Sequence, residues 1–249
     1  MSKKKIIGEC HLCGKIKPLS FEHIPPEKAF NDKRIKAYSF EQLIGNKKGY
    51  KAFQHGFGDY TLCEFCNNNT GSWYARAYID FVHHELQHIQ GISDDEFSIY
   101  PLRVFKQILT MFFTVNYAKF REMYSWLSDY LLNKDDANFL GGLKLYAYYV
   151  EDMRSTRISP GVVGVLNTKT NQTACFSEFA YPPLGYILAY DDTVLDERLV
   201  DITFFSEYSY DQQATISLDI NALPIANTFF GEFRTAEEIE RLNNEQSNS

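Results

Sequence analysis

The chain has 249 residues, 45% hydrophobic and 23% charged, enough apolar material for a packed core and too little bias for a disordered or fibrous protein. Its 17 Tyr and 20 Phe mean that rings build much of that core. The net charge of -7 is uneven: residues 1–91 hold 13 Lys+Arg against 9 Asp+Glu, a balance of +4, whereas the remainder carries -11, so only the first third can approach a polyanion.

No run reaches the roughly 18 to 20 apolar residues that a membrane-spanning helix needs. The best candidate, near Ile108 to Val115, is broken by Thr110, Thr114 and Asn116. Met1 to Glu9 is basic but is followed by no apolar region of the kind a secretory signal requires, so the expected location is the cytoplasm, where thiols stay reduced.

Along the chain, the first 70 residues are turn-rich and poor in periodic apolar runs, with Gly14, Pro18, Pro25, Pro26, Gly45, Gly49, Gly56, Gly58 and Gly71 punctuating them. Such a segment needs an outside staple. From Trp73 the residues Ala77, Phe81, Leu86 and Ile89 fall near helical spacing and Gly91 stops the run. Pro101 opens a second helical stretch, with Leu102, Phe105, Leu109, Phe112, Phe113, Phe120, Tyr124, Leu127 and Leu131 on a broad apolar face, ending near residue 133 with one break. Beyond Gly141-Gly142 the pattern turns to strands: 143–150, 162–166, 173–179, 184–190, 203–205 and 214–218, with a hairpin loop at Asn167 to Asn171. Thr235-Ala236-Glu237-Glu238 is a capping-box pattern announcing a last short helix. The expected organisation is a module over 1–91, an α+β accessory domain over 92–242 with a mainly antiparallel sheet, and a disordered tail over 243–249.

Four of the five cysteines form two Cys-x-x-Cys pairs, Cys10/Cys13 and Cys63/Cys66. In a reducing compartment that spacing indicates a metal site. Four thiolates close a tetrahedral zinc shell with no open position, so such a zinc is structural. It can contribute about 10 to 16 kcal/mol, enough to fold a segment that lacks its own core. Cys175, inside a predicted strand, is expected to be a buried small apolar residue.

The insertion between the pairs carries Leu19-Ser20-Phe21-Glu22-His23-Ile24-Pro25-Pro26, and the second pair runs through Leu62-Cys63-Glu64-Phe65-Cys66-Asn67 toward the predicted helix. Over about residues 8–85 this resembles the zinc-stapled HNH nucleases, the ββα-metal endonuclease family. The resemblance implies a treble-clef-like ββα-metal module with structural zinc on Cys10, Cys13, Cys63 and Cys66. It makes His23 the general base, and Glu22 and Asn67 the ligands of a catalytic magnesium or manganese ion. The family more often has Asp where Glu22 stands, and an Asn about five residues before the third Cys, where this chain has Gly58-Asp59.

These residue types suit phosphodiester hydrolysis. His is the side chain whose ordinary pKa lies near neutrality, as deprotonating water requires. Oxygen ligands from a carboxylate and an amide suit a hard cation better than they suit zinc. The reading is therefore a metal-dependent endonuclease acting on nucleic acid, DNA ahead of RNA, and for free-standing proteins of this layout the resemblance implies a place in restriction or phage defence. The rival reading is a catalytically inactive zinc-binding interaction or regulatory module, favoured by Glu22 and the absent Asn. In either case the acidic C-terminal part is expected to serve a protein partner or self-association.

Other features are weaker. His83, His84 and His88 are expected to be surface or hydrogen-bonded histidines, with His83 or His84 the better candidate for an accessory phosphate contact. Lys47, Lys48 and Lys51 beside Tyr50 and Phe53 suit a backbone-contacting loop or an exposed loop equally. Glu178 to Tyr186 reads as a rigid aromatic turn, explained first by packing.

Overall fold

The computed structural model describes residues 5–43, 45–93, 96–139, 141–167, 172–192, 195–225 and 229–247. Its first part contains β1 (Ile7–Glu9), β2 (Ile16–His23), β3 (Ile35–Ala37), a short α1 (Phe40–Leu43), β4 (Lys51–Phe53) and β5 (Gly58–Cys63). Strands β1, β2 and β5 form an antiparallel sheet in the order β1-β2-β5, with Glu9 opposite Ile16 and Leu19 opposite Cys63. Strands β3 and β4 pair separately as a two-stranded arm, Ile35 opposite Phe53. These strands gave little signal in the sequence because none of β1 to β4 has a fully buried residue, so no apolar/polar alternation was imposed on them.

A continuous helical run follows: α2 (Glu64–Thr70), one π-helical turn (Gly71–Ala75) and α3 (Arg76–Ile89). The helix begins at Glu64, whereas periodicity placed it at Trp73. Asn67, Asn68, Asn69, Thr70 and Gly71 are weak helix formers, and burial of Cys66 and Thr70 overrides their propensity, with the Thr70 hydroxyl donating back to the Cys66 carbonyl at 2.9 Å. Gly91, at φ 68°, ends the run as expected, its N–H bonding the His88 carbonyl at 2.8 Å.

After β6 (Phe97–Ile99) comes α4 (Pro101–Val115), whose sides are almost entirely covered, its polar Lys106, Gln107, Thr110 and Thr114 included. Asn116 ends α4 by donating its side-chain amide to the Phe112 carbonyl, 2.6 Å. Then α5 (Lys119–Met123) and α6 (Ser125–Leu132) complete the helical part with two breaks where one was expected.

The C-terminal part holds β7 (Lys144–Val150), β8 (Arg157–Ile158), β9 (Val163–Asn167), β10 (Gln172–Tyr181), β11 (Leu184–Ala189), β12 (Val200–Asp201), β13 (Ala214–Ile216), β14 (Ala222–Leu223) and α7 (Ala236–Ser247). The order β12-β7-β11-β10-β8, with β9 on β10 and β14 on β7, makes a seven-stranded sheet that is antiparallel except for the β14–β7 pair. Residues 203–205, read as a strand, are instead a 3₁₀ turn, because the Asp201 carboxylate captures the Thr203 N–H at 2.8 Å and curls the chain. Strand β13 pairs with β6, outside the main sheet. Of the expected hairpin loop, 168–171 lies outside the described residues, and its flanking strands pair antiparallel at Asn167 and Gln172. Helix α7 runs to Ser247, into the segment expected as a tail.

One buried cluster extends from Cys10 and Leu12 through α4 to Ile220, crossing the boundary drawn at residue 91, and a second covers the far face of the sheet around Tyr148, Phe176, Ile187 and Phe233. Among the described residues, no helix is long and apolar enough to cross a membrane.

Candidate functional site

Cys10, Cys13, Cys63 and Cys66 come together with their sulfurs all within 4.8 Å of one another, and all are free thiols. Tight local structure aims each pair. The Gly14 N–H closes a turn on the Cys10 carbonyl at 2.8 Å, with Gly14 at φ 69°, a conformation that disfavours any side chain. Cys63 ends β5 and Cys66 sits in the first turn of α2. Zinc–sulfur bonds of about 2.3 Å in a tetrahedron put sulfurs about 3.8 Å apart, and Cys13 Sγ and Cys63 Sγ are 3.9 Å apart. The four cysteines are thus positioned to hold one metal ion, and the donor set is that of structural zinc. Hydrogen bonding from the Cys66 thiol, then from backbone N–H groups, lowers the Cys10 thiol below the ordinary thiol value, and Cys66 is pushed up in return.

The turn that bears Cys10 and Cys13 is docked on the helices. The His11 ring bonds the Phe113 carbonyl at 3.3 Å, the Ser128 hydroxyl donates to the Leu12 carbonyl, and Arg121 pairs with Glu9 at 2.6 Å.

The three residues expected at a catalytic centre lie on the two segments that the cysteines join. Asn67, in α2, donates its side-chain N–H to Ser20 Oγ at 3.0 Å and to the Phe21 carbonyl at 3.3 Å, both in β2. The β2–β5 register shifts between Ser20 and Glu22, so Phe21 is a bulged residue. Glu22 faces inward. Its Oε2 is sealed from solvent with no hydrogen-bond partner, and burial, with the Cys10 charge adding, raises its carboxyl to about 8. His23 ends β2 half-buried, its Nε2–H donating to the His55 carbonyl at 2.8 Å. A carbonyl only accepts, so this bond fixes the proton on Nε2 of the neutral ring and leaves the Nδ1 lone pair available. Among the described residues, the four cysteines are the only group that gathers three or more His, Cys, Asp or Glu ligand atoms at one point.

One residue that organises this face escaped the sequence reading. Asn31 is fully buried, donates Nδ2 to the carbonyls of Pro25 at 2.6 Å and Phe57 at 2.7 Å, and accepts the Phe57 N–H at 2.6 Å. It ties together the two strands of chain flanking His23. Its Oδ1 also accepts the Tyr181 hydroxyl at 2.9 Å, so the turn between β10 and β11 is buried and packs against the site, as expected of it. Nothing local in the sequence marks Asn31, because its partners lie 6, 26 and 150 residues away.

The histidine cluster divides. His83 Nε2 bonds the Lys28 carbonyl at 2.7 Å and its ring stacks on Phe30 at 4.5 Å, while His84 stacks on Phe97 at 4.1 Å beside Glu85. Both border a cleft of about 640 Å³ with Lys28, Arg76 and Asp80. Cys175 is half-buried, more open than expected. No family profile, curated protein sequence or solved structure matches this chain.

Proposed function

We propose that this chain is a metal-dependent endonuclease hydrolysing phosphodiester bonds of nucleic acid, DNA ahead of RNA, in the manner of the zinc-stapled HNH nucleases it resembles. The observation that carries the reading is the bond from Asn67 Nδ2 to Ser20 Oγ and the Phe21 carbonyl, which brings the helix start against the strand end bearing Glu22 and His23. Strand, strand and helix follow in the order β2, β5, α2, and a structural zinc on Cys10, Cys13, Cys63 and Cys66 would lock that corner.

His23 acts as the base through Nδ1, the nitrogen left free by the His55 carbonyl. Glu22 and Asn67 are the candidate oxygen ligands of magnesium or manganese. The orphaned Glu22 Oε2 is an acceptor lacking a partner, and with the Asn67 amide nitrogen turned to β2 its oxygen is the end left for an ion. Such an ion, when bound, neutralises charge on the phosphoryl and leaving oxygens.

The enclosure of Glu22 Oε2 favours a second reading, a zinc-binding interaction module without catalysis, since an oxygen closed off from water must open before it can share an ion with substrate. Cleavage assays with magnesium or manganese separate the two. In the nuclease, His23→Ala lowers cleavage by at least about 10²-fold with zinc content and melting unchanged. Glu22→Ala and Asn67→Ala lose cleavage and partly regain it in excess manganese. A wild-type protein that cleaves no duplex, single-stranded or RNA substrate, with or without cell extract, combined with a destabilised His23→Ala, removes the nuclease reading.

A further inference from the structure

We infer that the nucleic acid this protein engages is single-stranded, held by an aromatic ledge beside His23 and by the basic arm rooted next to it. The inference takes its functional meaning from the endonuclease reading, and its evidence is a binding surface that stands apart from catalysis.

The ledge is Phe21 and Tyr60. Most large rings of this protein are in the core or packed against it, yet these two are each 41% exposed. They lie next to the site: the Phe21 ring stands edge-on to His23 at 5.1 Å and to Tyr60 at 5.4 Å. Their placement is built in. The bulge turns Phe21 outward, and Gly58 on the partner strand lets the two backbones approach and also leaves room for the ring, since a Cβ there would come within 2.2 Å of the Glu22 carbonyl oxygen and 2.7 Å of Phe21 Cζ.

The arm of β3 and β4 extends the surface. Between residues 33 and 51 it carries Lys33, Arg34, Lys36, Lys47, Lys48 and Lys51, all exposed and none ion-paired within the described residues, against the single carboxylate of Glu41. Its exposed rings, Tyr38 and Tyr50, are 5.8 Å apart, and Lys36 Nζ lies 4.9 Å from the centre of the Tyr50 ring. The arm is anchored beside His23: Gly56 N–H bonds the Lys33 carbonyl at 2.8 Å, and the preceding residue, His55, supplies the carbonyl that orients His23.

Cations interleaved with exposed rings suit a flexible polyanion whose bases are free to stack. Duplex DNA keeps its bases stacked on each other and offers only groove edges and phosphates. On a duplex the lysines would find partners and the rings at His23 would not. A single strand uses both, with a base on the ledge bringing its neighbouring phosphate toward the His23 edge.

Fluorescence anisotropy with the full-length protein, without added magnesium or manganese, tests this using a labelled mixed-sequence DNA strand of about 15 nucleotides and the same sequence as duplex. The single strand is expected to bind at least about tenfold tighter. Tyr60→Ala should weaken single-strand binding about tenfold, the loss of one stacked base, without altering its salt dependence, and Tyr60→Trp should restore it. Lys36→Ala and Lys51→Ala should each lower the slope of log affinity against log salt by about 0.7. Zinc content confirms that each variant is folded. Equal or tighter duplex binding, no binding of single strands, or a zinc-loaded Tyr60→Ala with wild-type affinity overturns the inference. Ring-dependent single-strand binding by a protein that never cleaves leaves it standing and removes only the nuclease reading, whereas efficient cleavage confined to duplex does the reverse.

Discussion

The sheet that carries the cysteines and the sheet that follows the helices are held together by different means. In the first, Ile7 is 60% and Ile16 77% exposed, and Phe65 at the start of α2 is 62% exposed. In the second, every residue of β11 is buried. The second region therefore folds by removing apolar surface from water, whereas the first buries only a few apolar side chains, Leu12, Ile24 and Leu62 among them, against the common core and adds four sulfurs and polar ties to α4, α5 and α6. A segment freed from making a core keeps its side chains available, and Phe21, Tyr60 and the arm lysines are the result.

The largest effect should come from removing the staple. Cys63→Ser takes one ligand from a centre contributing about 10 to 16 kcal/mol. Wild type is expected to carry one zinc and the variant to lose it, and amide exchange should show lost protection across 7–23 and 58–63 while 144–189 stays protected. Absence of zinc from wild-type protein purified without chelator, or full protection in the variant, breaks the contrast between the two regions.

The converse test strikes the second region. Glu178, fully buried, accepts from Tyr148 Oη at 2.6 Å, from Arg157 Nη2 at 2.8 Å and from the Gly231 N–H at 3.0 Å. Arg157 also donates to the Phe229 and Glu232 carbonyls, at 2.8 and 3.0 Å, so the pair clips the segment before α7 to the sheet. Glu178→Ala strands a buried guanidinium and should cost about 3 to 5 kcal/mol in denaturant unfolding, with zinc content unchanged. Replacing both members by apolar residues of similar volume should recover most of that loss. A loss of zinc on Glu178→Ala would show that the two regions do not fail separately.

How much of this was legible in the sequence follows the same division. The cysteine spacing announced the four-sulfur cluster because two ligands per turn is a local pattern, and β7, β10 and β11 announced themselves through apolar runs. The order Glu22, His23, Cys63, Cys66, Asn67 was legible as a motif. What the motif could not carry was three-dimensional: the inward turn of the Glu22 carboxylate, the tautomer of His23 set by the carbonyl of His55, and the clamp of Asn31 with Tyr181. The start of α2 was missed because three consecutive asparagines argue against a helix, and packing around Cys66 and Thr70 reverses that preference. The arm gave only charge and rings, without the pairing of Ile35 with Phe53 that makes it a ribbon rooted at the site.

The smallest effect concerns α4, the helix on which both regions rest. Lys106 lies at its centre, fully buried, its ammonium donating to the carbonyls of Tyr130 at 2.9 Å, Asn133 at 2.8 Å and Lys134 at 3.4 Å, so that it caps the end of α6. Burial lowers its pKa from 10.5 to about 8, against the opposing pull of Asp136 and Asp135. Between about pH 8 and 10.5 the unfolded chain therefore holds a proton at this lysine that the folded chain has released, and a state that binds fewer protons gains as pH rises. Lys106→Met leaves the three carbonyls without their donor and should cost about 1 to 3 kcal/mol at pH 7, where the ammonium is charged in both states and the difference is flat with pH. Above pH 8 the stability of wild type relative to Lys106→Met should climb, at up to about 1.4 kcal/mol per pH unit, and level off past 10.5. Paired denaturant titrations from pH 6 to 10 read this difference directly. A gap that stays flat or narrows above pH 8 means that Lys106 keeps an ordinary ammonium, with the α6 carbonyls and the face of Tyr130 at 4.0 Å compensating its burial in full.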